Sequence, residues 1–79
     1  MKYLTMQAGD ITIELSSYRT DKAIFVDADH EEKLPLKMVA VMLQDEGFDT
    51  KVSPGPAHSI TGEIPFWILS AVHVRNDEQ

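Results

Sequence analysis

The stretch IFVDADHEEKLPLKMVAVMLQDEGFDTKV, from Ile24 to Val52, decides the fold of this chain. It opens on apolar residues typical of a β-strand, passes through an acidic turn and continues into a helical pattern. Four apolar residues at the spacing i, i+3, i+4 and i+7 predict one amphipathic helix: Leu36, Val39, Ala40 and Leu43. The stretch therefore predicts a strand, a helix and a second strand in direct succession.

Two residues mark the ends of the predicted helix. Pro35 suits the first helical turn, where its missing N–H needs no partner. Gly47 stands where a left-handed C-terminal cap is expected, and Phe48 is then expected to fold back on Leu43. Because a strand–helix–strand unit almost always forms a right-handed crossover, the two flanking strands are expected to run parallel.

An N-terminal hairpin is predicted upstream of this unit. Apolar and polar residues alternate on both sides of Ala8-Gly9-Asp10, a sequence typical of a tight turn. Residues 16–21 are polar and predict a loop. Residues 22–28 predict a third strand with apolar residues on both faces, a pattern typical of a strand that is covered on both sides.

A long loop and a last strand are predicted downstream. Residues 53–65, SPGPAHSITGEIP, are rich in proline and glycine, and within them Ser59 to Thr61 are expected to pair as a brief edge strand. A loop of this length is typical either of a binding element or of a rigid flap over the sheet. The last strand is predicted from Pro65 to Val74, and the charged tail 75–79 is expected to fray.

Together these elements predict a single α+β domain over residues 1–79. The order β-β-β-α-β-β implies a mixed sheet of four to five strands with one helix packed on one face. The second face then needs a cover. Sheet curvature and the long loop are one candidate, and a second copy of the chain or a partner protein is the other.

The last strand offers two sets of apolar side chains for these two faces. Trp67, Leu69 and Ala71 point to one side, and that side is the predicted docking surface for a partner or a second copy. The other set points to the opposite side: Phe66, Ile68, Val72 and Val74.

The composition narrows the class of partner. Thirteen acidic and seven basic residues give a net charge of −6, which argues against nucleic acid and favours a partner with a basic surface. DNA mimicry by the acidic residues is a weaker alternative. The chain has no cysteine, no apolar run long enough to span a bilayer and no signal-peptide pattern, so a cytoplasmic protein without membrane contact is expected.

The acidic turn after the third strand admits two interpretations. Asp27 and Asp29 would lean to one face of the strand and, with His30, are weak candidate ligands for Mg²⁺ or Ca²⁺. Alternatively, Asp29 and Glu32 have the spacing of a capping box at the start of the helix. The second interpretation is favoured, so no metal ion and no other cofactor is predicted.

Catalytic patterns are missing from the sequence. No nucleophile elbow or phosphate-binding loop is present, and the three histidines lack metal-ligand spacing. The chain is therefore predicted to be a small acidic protein-binding or regulatory module without catalytic residues, either a homodimer or bound to a partner. Its size and charge resemble those of phage and mobile-element accessory proteins, which implies an inhibitor of a host protein.

The predicted binding residues combine the docking side, the acidic turn and the long loop: Trp67, Leu69, Ala71, Asp27, Asp29, Glu31 and His58. The alternative function is a divalent-metal-dependent hydrolase or nucleotide-handling protein built on the cluster of Asp27 and Asp29.

Overall fold

The computed structural model describes residues 2–74, with side chains from residue 4 onward. Its elements follow the order predicted from the sequence: β1 (Lys2–Ala8), β2 (Ile11–Arg19), β3 (Ala23–His30), α1 (Lys33–Asp45), β4 (Asp49–Pro54) and β5 (Trp67–Val74). The predicted α+β class is confirmed. The tail 75–79, predicted to fray, lies outside the described residues.

The five strands form one sheet in the order β1-β2-β3-β5-β4, and every neighbouring pair is antiparallel. β3 and β4 run parallel, as the crossover predicts, but they are not neighbours. β5 lies between them and pairs with both. The sheet is therefore antiparallel throughout rather than mixed. The crossover through α1 leaves the width of one strand between β3 and β4, and β5 occupies this position.

Helix α1 packs on one face of the sheet and forms the core there. The apolar stripe predicted from the sequence is buried, with Leu36 and Val39 at 0% exposure. The sheet supplies the other side of the core through its most buried residues: Ile13, Leu15, Val26 and Leu69. A helix about 10–12 Å wide cannot cover five strands spaced about 4.8 Å apart, so the edges of this face stay partly exposed.

The C-terminus of α1 has the predicted left-handed cap. Gly47 has φ +96°, the Phe48 N–H donates to the Leu43 carbonyl at 3.0 Å, and the Gly47 N–H donates to the Gln44 carbonyl at 3.0 Å. These two bonds form a Schellman motif, which satisfies carbonyls that the helix leaves free.

The N-terminus of α1 differs from the sequence prediction. The N-cap residue is Glu32, and its side chain makes no capping hydrogen bond. Asp29 belongs to β3 and does not take part in a capping box with Glu32. Instead the His30 Nδ1 accepts the Glu32 N–H at 2.9 Å, so the imidazole orders the turn between β3 and α1.

The predicted hairpin of β1 and β2 turns through Gly9 and Asp10, with Ala8 opposite Ile11. Gly9 has φ +64°, and no other residue type in the described chain has a positive φ. A two-residue loop with glycine at its first position is typical of a type II′ turn, whose twist matches that of the strands.

Residues 55–66 form an ordered arm beyond β4 and β5. The Gly55 N–H donates to the Phe66 carbonyl at 2.9 Å at the base of the arm, and the His58 N–H donates to the Glu63 carbonyl at 2.7 Å nearer its tip. Ile60 is 87% exposed. The arm therefore does not serve as a flap over the sheet, and the edge strand predicted at residues 59–61 is a turn instead.

Within residues 2–74, no helix has the length and apolar character needed to cross a membrane.

Candidate binding face

The side of the sheet opposite α1, called the open face here, is not covered by any element among residues 2–74. Helix α1 packs on the other side, and side chains alternate between the two sides along each strand. The strand register places the outward side chains of the open face in three rows that cross the sheet from β2 to β4.

The first row is apolar over three strands. It runs from Tyr18 through Phe25 to Val72 and ends at Asp49. The rings of Tyr18 and Phe25 stack with their centroids 4.8 Å apart and an interplanar angle of 14°. The stacked pair holds both rings in a fixed orientation, and Tyr18 is still 48% exposed.

A shallow depression of about 380 Å³ lies next to this row. Its walls include the two stacked rings and Val72, and its rim carries Asp27 and Lys51. Val74 extends the apolar surface past the first row and is 67% exposed. The depression thus has an apolar floor and a charged rim, a combination typical of protein interfaces.

The second row is polar, and the third row combines polar and apolar residues. The second row has Ser16, Asp27, Ser70 and Lys51 in register across four strands. The third row places Asp29 opposite Ile68. A second depression of about 280 Å³ opens there, lined by residues of β2, β3 and β5 together with the end of the arm: Glu14, Ser16, Asp27, Ala28, Asp29, Phe66 and Ile68.

Negative charge dominates the open face. Four carboxylates point to this side, and Lys51 is the single ammonium group among its described side chains from β2 to β5. The carboxylates come from three strands: Glu14, Asp27, Asp29 and Asp49. The face therefore offers an apolar row beside a negatively charged area.

The docking side predicted from the sequence is the covered one. Leu69 is 0% exposed and Ala71 is 5% exposed, and both pack in the core against α1. Trp67 is half-buried next to that core, and the Lys33 Nζ lies 4.7 Å from its ring centroid. Leu69 and Ala71 therefore cannot form a docking surface, because the single helix packs on their side of β5 rather than on the opposite side.

The structure separates the residues predicted as a metal site. Asp27 and Asp29 both lie exposed on the open face, but His30 points to the helix side and bonds the Glu32 backbone. Among residues 2–74, no three histidine, aspartate or glutamate side chains are grouped so that they could hold a metal ion.

The two remaining predicted binding residues lie apart from the open face. Glu31 is exposed in the link between β3 and α1. His58 lies in the arm, where its Nδ1 accepts the N–H groups of Ile60 at 3.2 Å and Thr61 at 3.3 Å. The His58 side chain therefore orders the tip of the arm.

Sequence reasoning missed Tyr18 and Phe25 as a surface pair. Residues 16–21 read as a polar loop, whereas β2 continues to Arg19 and brings Tyr18 beside Phe25. The alternation Ser16, Ser17, Tyr18 gave no apolar signal of its own. If the alternation of β2 had been continued past Leu15, Tyr18 would have been placed on the opposite face from Leu15, where it can pair with Phe25 of the next strand.

Comparisons with protein-family models, with curated proteins and with solved structures gave no match to this chain.

Proposed function

We propose that this protein is a binding module whose open face docks on a partner protein with a basic surface. The observation that carries the proposal is the composition of that face. The Tyr18–Phe25 stack and Val72 form an apolar row, and carboxylates lie beside it on the same side of the sheet. Rigid aromatic side chains beside charged groups are typical of the centre and rim of protein interfaces.

The open face is large enough for such an interface. Five strands spaced about 4.8 Å apart give a width of about 24 Å. A strand of eight residues, such as β3 or β5, adds a length of about 27 Å. The product, roughly 650 Å², approaches the roughly 800 Å² that each partner contributes to a standard interface.

Charge favours a basic partner over a second copy on this face. Two open faces pressed together would bring four carboxylates of one copy against four of the other, with one lysine on each side. Like charges that approach within an interface are costly, whereas a partner with lysine or arginine around an apolar centre would complement both parts of the face. A small module that occupies such a basic surface would act as an inhibitor of whatever else binds there.

Matched pairs of variants test the proposal in a binary complex. A partner captured from source cells is first produced as a pure protein, and its affinity is measured by calorimetry. Val74→Asp alters an apolar side chain of the open face that is 67% exposed, and Val41→Asp makes the same change on the outer side of α1, where valine is 57% exposed. We expect the first variant to weaken binding by about tenfold or more and the second to leave it within about twofold.

A second pair of variants tests the charged part of the open face. The double variant Asp27→Asn, Asp29→Asn removes two carboxylates of the open face, and Asp45→Asn removes one at the exposed end of α1. Binding should weaken with added salt, and the double variant should reduce that salt dependence. A complex that is insensitive to Val74→Asp and to the double variant, but is lost with Val41→Asp, would move the site to the helix and refute the proposal.

A further inference from the structure

The outer edge of β1 has backbone groups that its own sheet does not use. β1 is the first strand in the sheet order, and among the described strands it pairs only with β2. Ala8 and Ile11 flank the two-residue turn, and such flanking residues form a hydrogen-bonded pair. Hydrogen-bonded and non-hydrogen-bonded pairs alternate along an antiparallel ladder, so every second residue of β1 turns its N–H and C=O away from β2. These outward residues are Tyr3, Thr5 and Gln7.

The other edge of the sheet is different. β4 has six residues, ends at Pro54 and carries the charged residues Asp49 and Lys51. Proline and charged residues are the usual means by which proteins prevent an edge strand from pairing. β1 has no proline, and its single charged residue is Lys2 at its first position. The edge of β1 thus lacks the protection that the edge of β4 has.

The side chains of β1 on the helix side add an apolar surface to this edge. Leu4 pairs with Leu15 and Met6 pairs with Ile13, so both point toward the side that α1 covers. Leu4 is nevertheless 45% exposed, although α1 contacts β1 and Ala8 of the same strand is buried in the core. Met6 is half-buried beside it.

From these features we infer that β1 pairs with β1 of a second copy of this chain, in an antiparallel register centred on Thr5. A two-fold axis at Thr5 places Thr5 opposite its own copy, and Tyr3 opposite Gln7 of the other chain. All three outward residues then exchange both backbone bonds, which gives about six hydrogen bonds. If the axis lay at Leu4 or at Met6 instead, only two of the three outward residues would form backbone hydrogen bonds with the other chain.

The same register buries the exposed apolar side chains. Leu4 of each copy comes to lie opposite Met6 of the other, in the closely spaced, non-hydrogen-bonded type of pair. The two-fold axis is perpendicular to the sheet, so the dimer is isologous and forms one continuous sheet of ten strands. Both helices lie on one side of it and both open faces on the other. This dimer does not depend on the proposed partner of the open face.

Sedimentation equilibrium tests the dimer over a concentration range from about 1 µM to about 1 mM. We expect the mass to rise with concentration toward twice the 8.9 kDa of one chain. Because each copy carries a charge of −6, added salt should strengthen the dimer. Binding of a basic partner has the opposite salt dependence, so the two associations are distinguishable. A mass of one chain over the whole range would overturn the inference.

Two exposed leucines provide the matched variants. Leu4→Glu places a carboxylate in the β1 interface, and Leu34→Glu makes the same change at a position on α1 that is 66% exposed. We expect Leu4→Glu to raise the dissociation constant by about tenfold or more, and Leu34→Glu to leave it within about twofold. Thr5→Pro removes an outward N–H that the β1–β2 ladder does not need, and it should give a folded monomer. A dimer unchanged in both Leu4→Glu and Thr5→Pro would place the contact elsewhere.

Amide hydrogen exchange gives a readout on the unaltered protein, which does not depend on the folding of any variant. In the monomer the amides of Tyr3, Thr5 and Gln7 face solvent, and in the proposed dimer they are hydrogen-bonded. Their exchange should slow as the concentration rises, while the amides of Leu4 and Met6, already bonded to β2, change little. If these three amides remain fast while the protein sediments as a dimer, β1 pairing is refuted.

Discussion

Replacement of Leu69 by alanine tests the placement of β5 directly. Leu69 is 0% exposed and lies in the central part of the sheet, paired with Ala28 on one side and Val52 on the other. Leucine-to-alanine changes at fully buried sites cost about 2–5 kcal/mol, from lost apolar burial and from the cavity left behind. Since α1 and two strands surround this site, little collapse is available, and we expect a loss of about 3 kcal/mol.

That loss is large for a chain of 79 residues. At about 0.05–0.15 kcal/mol per residue, the free energy of unfolding is about 4–12 kcal/mol. A change of about 3 kcal/mol would lower Tm by about 12–24 °C, since each kcal/mol shifts Tm by about 4–8 °C in a domain of this size. Urea unfolding followed by circular dichroism should show a lower midpoint with an unchanged slope.

Leu34→Ala is the matched control, because that leucine is 66% exposed. Its effect on the free energy of unfolding should stay within about 0.5 kcal/mol. The buried position of Leu69 would be refuted if Leu69→Ala lowered the free energy of unfolding by less than about 1 kcal/mol, the range of an exposed site, and instead abolished association with a partner. That pair of results would mean that the side of β5 carrying Leu69 is the docking side.

Three further changes probe other parts of the structure. Gly47→Ala should lower the free energy of unfolding by roughly 1–3 kcal/mol, because Gly47 has φ +96° and an added Cβ would lie 3.0 Å from the His73 Nε2. Urea unfolding measures this loss, and an unchanged free energy of unfolding would contradict the assigned cap. His73→Leu should leave the free energy of unfolding within about 1 kcal/mol or raise it, because the His73 Nδ1 is buried and has no hydrogen-bond partner among residues 2–74. A loss above about 2 kcal/mol by the same measurement would show that the ring makes a needed bond. Millimolar Mg²⁺ should shift the Tm of the parent protein no more than that of the double variant Asp27→Asn, Asp29→Asn. A shift confined to the parent protein would support the alternative function as a metal-dependent protein.

Local sequence patterns were sufficient for the order of the main elements, but they missed the extension of β2 to Arg19 and the turn at residues 59–61. The stripe of Leu36, Val39 and Leu43 predicted the helix, and Gly47 predicted its end, because both depend on residues close together along the chain. The capping box failed for a related reason. Its spacing was correct, but the pairing of β3 with β5 extends as far as His30 and keeps Asp29 in the sheet.

The candidate site was harder to predict, because it depends on which side of the sheet the helix occupies. Both faces of β5 are apolar, so alternation alone could not decide between Leu69 and Val72 as the buried set. The strand order was also undetermined, since pairing between β3 and β5 joins residues that are 37 to 51 positions apart in the sequence, from His30–Trp67 to Ala23–Val74. Asp27 and Asp29 were placed correctly on one face by simple alternation.

The position of β5 in the sheet has a consequence for the order in which the protein forms during synthesis. β5 is the last strand of the described chain to leave the ribosome, yet it fills the gap between β3 and β4. At about 5–20 residues per second, the ribosome needs roughly one second to add residues 55–66 after β4, and in that time β4 has no strand to pair with. The hairpin of β1 and β2 can form early, but Leu69 and Ala71 of β5 enter the core last. Every nascent chain that stops short of residue 67 therefore lacks both the complete five-stranded sheet and the Phe25–Val72 pair of the open face.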